Sequence, residues 1–91
     1  MAHVIVTLKL MPEGVDVSLS QLEEASRKTI EAYGGKVQRM EHEPIGFGLV
    51  ALQVTFSMDE QKGTTDVLED QLKQIAGIMN VEVVRVGRAL G

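Results

Sequence analysis

Over residues 3–11 the side chains alternate, with Val4, Val6, Leu8 and Leu10 on one face and His3, Ile5, Thr7, Lys9 and Met11 on the other. That period predicts a strand with one dry face. Pro12, Glu13 and Gly14 break it, and Ser20 with Glu23 three residues on has the spacing of a capping box. The helix that follows carries Leu19, Leu22, Ile30 and Tyr33 on its buried stripe and ends at Gly34-Gly35, where glycine takes the left-handed cap without steric cost. Residues 36–41 read as a second strand, Pro44-Ile45-Gly46-Phe47-Gly48 as a connector, and residues 49–58 as the longest apolar strand, central in its sheet. A polar turn over 59–63 leads to Thr64, a helix cap. Leu68, Leu72, Ile75, Ala76 and Met79 then share one helix face, closed by Gly77. Residues 81–86 are β-branched and predict a fourth strand, with 87–91 as a tail.

The order strand, helix, strand, strand, helix, strand predicts an α+β, ferredoxin-like βαββαβ sandwich: a four-stranded antiparallel sheet with two helices on one face. The length of 91 residues fits one domain spanning 1–91, because a second core would leave each half too short to bury its own surface. Apolar residues at 44% and charged residues at 24% are those of a globular chain. With no cysteine there is neither a disulfide framework nor a thiolate for metal or nucleophilic chemistry. The net charge of −4 has the wrong sign for coating phosphates, and Tyr33, Phe47 and Phe56 are too few aromatics for a base-stacking platform. Direct nucleic-acid binding is therefore not expected. No apolar run reaches the roughly 18 residues of a membrane helix, and no basic segment with an apolar core opens the chain. The expectation is a cytoplasmic protein without membrane contact.

Candidate chemistry is sparse. His3 and His42 are far apart and read as solvated sheet histidines, so no metal site is expected. Glu23-Glu24, Asp59-Glu60 and Asp66, Glu69 and Asp70 offer paired acids for general acid–base work, against the plainer reading of first-turn acids that complement a helix dipole. Residues 59–70 form an acidic end, while Arg85 and Arg88 make the C-terminal end basic, a polarity that suits docking on a larger charged partner. Gly46-Phe47-Gly48 is not a phosphate loop, since it precedes a strand and lacks the Lys-Ser/Thr pair. The five methionines are scattered, as core gap-fillers are.

Phe47 is the most informative residue. Val50, Leu52, Val54 and Phe56 set the core parity of their strand; extended back through Gly48, it puts Phe47 and Leu49 on the sheet face without helices. An exposed aromatic anchors interfaces, and flanking glycines let a partner's backbone come close. The other reading has the glycines break the register and tuck Phe47 inside. Pattern alone leaves both open.

Glu43-Pro44-Ile45-Gly46-Phe47-Gly48-Leu49, Ala51-Leu52-Gln53-Val54 and Gly63-Thr64-Thr65-Asp66-Val67-Leu68-Glu69-Asp70-Gln71-Leu72 resemble the guanine nucleotide exchange domain of translation elongation factor 1-beta. The resemblance covers essentially the whole chain, and the compact length with Met11-Pro12-Glu13 looks like the archaeal form, without the eukaryotic N-terminal extension. It implies the same ferredoxin-like fold and acceleration of GDP release from elongation factor 1-alpha, with no cofactor and no covalent chemistry. It also implies that Phe47, the aromatic between Gly46 and Gly48 and next to Leu49, inserts into the partner. Eukaryotic members bring a lysine near the C-terminus to the partner's magnesium and phosphate site. Here that neighbourhood holds Arg88, with Arg85 close by, the charge kept on a larger planar group. A monomer between encounters is the expected state.

Two other classes use this fold. A regulatory module would dimerise and bind a small ligand at the interface. An acylphosphatase-like enzyme needs an arginine in an early phosphate loop, absent here, and an asparagine, of which Asn80 is the only one.

Overall fold

A computed structural model describes residues 3–62 and 65–89, with side chains over 3–61 and 65–87. The elements are β1 (His3–Pro12), α1 (Leu19–Tyr33), β2 (Lys36–Gly46), β3 (Leu49–Asp59), a 3-10 turn (Glu60–Lys62), α2 (Asp66–Lys73) and β4 (Ile78–Ala89). The strands form one antiparallel sheet in the order β2-β3-β1-β4. This is the ferredoxin-like α+β arrangement, with β3 and β1 central.

Alternation sets the layers. Val6, Leu8 and Leu10 of β1 stand opposite Phe56, Val54 and Leu52 of β3. All six are at most 1% exposed, on the face that meets Leu22 and Ile30 of α1 and Leu68 and Leu72 of α2. Burying such side chains stabilises the fold by about 1.5–3 kcal/mol each before entropy is set against it. Ser26, also buried on α1, is the small residue between Leu22 and Ile30. Helix and sheet touch again at Gly35, where a Cβ would lie 2.7 Å from Cγ2 of Ile30 and 3.0 Å from Cδ2 of Phe56.

Several boundaries differ from the sequence expectation. The first helix is capped by Ser18, whose Oγ accepts from the Gln21 N–H, and not by Ser20. Both serines have a Glu or Gln three residues on; starting at Leu19 brings that side chain against the core and frees Glu23 to bond His42 of β2. Gly34, at φ 108°, ends α1 as expected. β2 runs on through Pro44 to Gly46, because an edge strand has no need of the proline's missing N–H on its outer side. Thr64, the expected cap of α2, lies outside the described residues, as does Gly63; Thr65 holds the cap position, and its hydroxyl donates to Glu69 Oε2 at 2.7 Å. That helix stops at Lys73, short of the Met79 expected to share its face. Ile78 instead pairs with Pro12 and begins β4, leaving Met79 61% exposed, while Gly77 makes the preceding turn at φ 95°. β4 also extends to Ala89, into what was expected to be tail.

Candidate partner-docking site

β2 and β3 pair down to Gly46 opposite Leu49, after a register shift beyond Pro44. Only Phe47 and Gly48 remain in the loop, so the expected five-residue connector is a tight hairpin. A two-residue hairpin loop whose strands keep their right-handed twist needs positive φ at both central residues, hence the usual Asn-Gly or Gly-Gly. Here φ is 55° at Phe47 and 77° at Gly48, with Gly46 already at 103°. A left-handed residue with a Cβ costs about 1–2 kcal/mol, and a bulky aromatic is rare there. Phe47 is also 100% exposed. Two unfavourable features thus coincide on one side chain.

This outcome corrects the sequence reasoning in its cause. Phe47 is exposed because the chain reverses under it, not because strand parity continues through Gly48 onto the open face. Leu49, expected to share that exposure, is half-buried. The glycines serve the turn: a Cβ at Gly46 would meet nothing within 4 Å, so its need is the backbone angle rather than space.

The hairpin is braced on both faces. On the open face Glu43 Oε2 accepts from Gln53 Nε2 at 2.7 Å and lies 3.3 Å from Lys9 Nζ, tying β2 to β3 and β1. The Gln53 hydrogen bond, then that from Lys9, holds the Glu43 carboxyl below its ordinary value. On the helix side the His42 ring hydrogen-bonds Glu23 of α1, so this histidine is paired rather than simply solvated. Sequence reasoning missed these braces, since they follow from register across strands. It also missed Val15, a loop residue outside any periodicity, which is 68% exposed beside Gly48.

The other expected site residues are elsewhere. Arg85 stands opposite Thr7, itself opposite Thr55, about 20 Å along the sheet from the hairpin at roughly 3.3 Å per residue. It is exposed and lines an open polar groove of about 190 Å³ with Thr7, Arg39, Glu41, Gln53, Thr55 and Val84. Arg88 is opposite Val4, about 30 Å from the hairpin on the same scale, and its side chain lies outside the described residues. Phe47 and Arg88 thus lie toward opposite ends of the sheet in a molecule 42 Å long, with Arg85 between them. Among the described residues no three His, Asp or Glu side chains are grouped to hold a metal ion, and no helix is long and apolar enough to cross a membrane.

By fold alone the chain belongs to a widely shared class. It superposes on the ACT domain of a GTP pyrophosphokinase from Chlorobium tepidum with a TM-score of 0.60 at 14% identity, covering 88% of this chain and 96% of that one. A de novo designed protein matches as well, with a TM-score of 0.61 at 16% identity over 98% of each chain. A scaffold shared with a design carries no function by itself. Sequence is more specific: the profile of the EF-1 guanine nucleotide exchange domain matches residues 5–89. Proteins named elongation factor 1-beta are 41% identical in Methanosphaera stadtmanae and 38% in Methanothermobacter thermautotrophicus, each over 99% of this chain and 100% of the relative. That of Staphylothermus marinus is 38% identical over 97% and 98%. The chain belongs to the EF-1 guanine nucleotide exchange domain family. It is a guanine nucleotide exchange factor of translation elongation, acting on elongation factor 1-alpha.

Proposed function

We propose that residues 1–91 act as one exchange domain that grips elongation factor 1-alpha at two separated points: Phe47, framed by Gly46 and Gly48 and backed by Leu49, anchors the complex, and Arg88, with Arg85 second, disturbs the partner's magnesium and phosphate site. The observation that carries this reading is Phe47, fully exposed in a left-handed conformation. Neither feature stabilises the free protein, and aromatic side chains, Phe included, are enriched at the buried centre of interfaces.

Exchange requires no covalent step and no cofactor of this chain. A factor that binds the GTPase more tightly without nucleotide must weaken nucleotide binding by the same ratio. The two ends divide that task. An anchor equally engaged in every nucleotide state supplies affinity but no displacement, whereas a cation that competes for the phosphate and magnesium environment supplies the differential term. Arg88 is the better candidate for the second role, being three positions nearer the end of β4 than Arg85. The protein works as a monomer between encounters, in the cytoplasm, and touches no nucleic acid directly; its net charge of −4 accords with that.

The test is release of a fluorescent GDP analogue from elongation factor 1-alpha, titrated with this protein at several magnesium concentrations. Phe47→Ala is expected to raise the half-saturating concentration at least about tenfold, the loss of roughly 1.4 kcal/mol or more of anchoring, with the maximal rate kept. Arg88→Ala is expected to lower the maximal rate and its response to magnesium. A folded Phe47→Ala protein with unchanged half-saturation would sink the anchor.

A further inference from the structure

We propose that Val15 and the hollow beside it form a second contact with elongation factor 1-alpha, continuous with the Phe47 tip and flanked along the loop by Glu13 and Asp16. The proposal rests on the anchor reading above and adds a surface to it. Val15 sits in the loop between β1 and α1, 68% exposed, with its Cγ1 3.4 Å from the position a Cβ would take at Gly48. It therefore abuts the hairpin loop at the residue next to Phe47, and the two exposed apolar side chains share one end of the molecule. Beside Val15 lies a small hollow of about 60 Å³, lined by Pro12, Gly14, Val17, Leu19 and Val50 together with Val15 and Gly48.

The loop that presents Val15 is held at both ends. Glu13 donates its N–H to the Gly77 carbonyl at 2.9 Å, Ser18 caps α1, and Val17 fits so closely on Gly77 that a Cβ there would be 2.9 Å from its Cγ1. A valine fixed in solvent on a tethered loop loses little conformational entropy when a partner covers it. Val15 touches the hairpin at Gly48 yet keeps 68% of its surface exposed, more than that contact uses. The occupant is the surface of elongation factor 1-alpha that surrounds Phe47, because Val15 abuts the same hairpin loop. Glu13 and Asp16 are exposed and make no ion pair among the described residues, which leaves both carboxylates open to basic groups on that surface.

The experiment titrates nucleotide release from elongation factor 1-alpha with the wild type, Val15→Ser, Val15→Ile and Phe47→Ala, each checked for native circular dichroism. Val15→Ser is expected to raise the half-saturating concentration about 3- to 10-fold with the maximal rate unchanged, the size of a lost partial valine burial. Val15→Ile, which keeps the apolar surface on the same loop, is expected to stay at the wild-type value or below it. Val15→Ser behaving as wild type while Phe47→Ala is impaired overturns this inference and leaves the anchor standing. If neither substitution moves half-saturation, the anchor reading itself has failed. Glu13→Gln with Asp16→Asn is expected to flatten the salt dependence of half-saturation; an unchanged slope removes both carboxylates from the contact.

Discussion

Phe47 and Phe56 lie on one hairpin and are treated in opposite ways. Phe56 is in the middle of β3 with none of its surface exposed, against α1 and Gly35; Phe47 stands at the tip with all of its surface exposed and its backbone left-handed. The same side chain thus serves two ends. In the core it contributes free energy to folding, and at the tip it withholds that contribution until a partner arrives. Hydrophobicity alone does not decide which of these happens; the local backbone does, because a residue in a two-residue turn has no sheet face to point toward.

The largest expected effect tests the core side of the comparison. Phe56→Ala is expected to cost about 3–5 kcal/mol, the transfer term plus a cavity under α1, a large share of the roughly 5–15 kcal/mol of a small domain. Urea denaturation measures it. A loss below about 1 kcal/mol would mean that α1 collapses onto the gap and that the core does not depend on this ring.

The next effect has the opposite sign. Phe47→Asn puts in a residue that tolerates the left-handed region, so stability is expected to rise by about 1 kcal/mol, or roughly 4–8 °C in Tm for a domain of this size. Exchange on elongation factor 1-alpha is expected to fall as in Phe47→Ala. Gain in one and loss in the other is the signature of strain kept for function. A lower Tm would show that the ring makes stabilising contacts in the free protein, and the contrast with Phe56 would narrow.

That contrast also explains what was legible beforehand. β1 and β3 were readable because alternation persists through Leu10 and Leu52 to Met58, and the order of elements then left one architecture. The end of α2 was not, because Leu72, Ile75, Ala76 and Met79 continue a helical spacing across a point where the chain has already turned at Gly77. Ser18 and Ser20 each satisfy the cap pattern, and only packing chooses between them. At the tip, parity lost its meaning at the first positive φ, so the exposure of Phe47 was reached through family resemblance and its cause only through geometry. Val15 has no period to betray it. The separation of Phe47 from Arg88 is likewise a property of register, invisible in a linear string.

The smallest effect concerns what holds the tip to the sheet. Glu43 lies below its ordinary carboxyl value of 4.5, chiefly because Gln53 donates to it and then because Lys9 does, with some opposition from desolvation. A carboxylate favoured in the folded state contributes stability above its unfolded pKa and loses it as pH falls through the lower, folded one. The wild type is therefore expected to hold a small advantage over Glu43→Gln in Tm at pH 7, and the two curves are expected to converge as pH drops below 4.5. The group is exposed, so solvent screening keeps the difference modest, and added salt is expected to shrink the part due to Lys9. Parallel curves down to pH 3 would remove the carboxylate from the brace and leave the hairpin held by strand pairing alone. The tip would then owe its geometry to the turn residues, and the contrast between the two phenylalanines would rest wholly on backbone conformation.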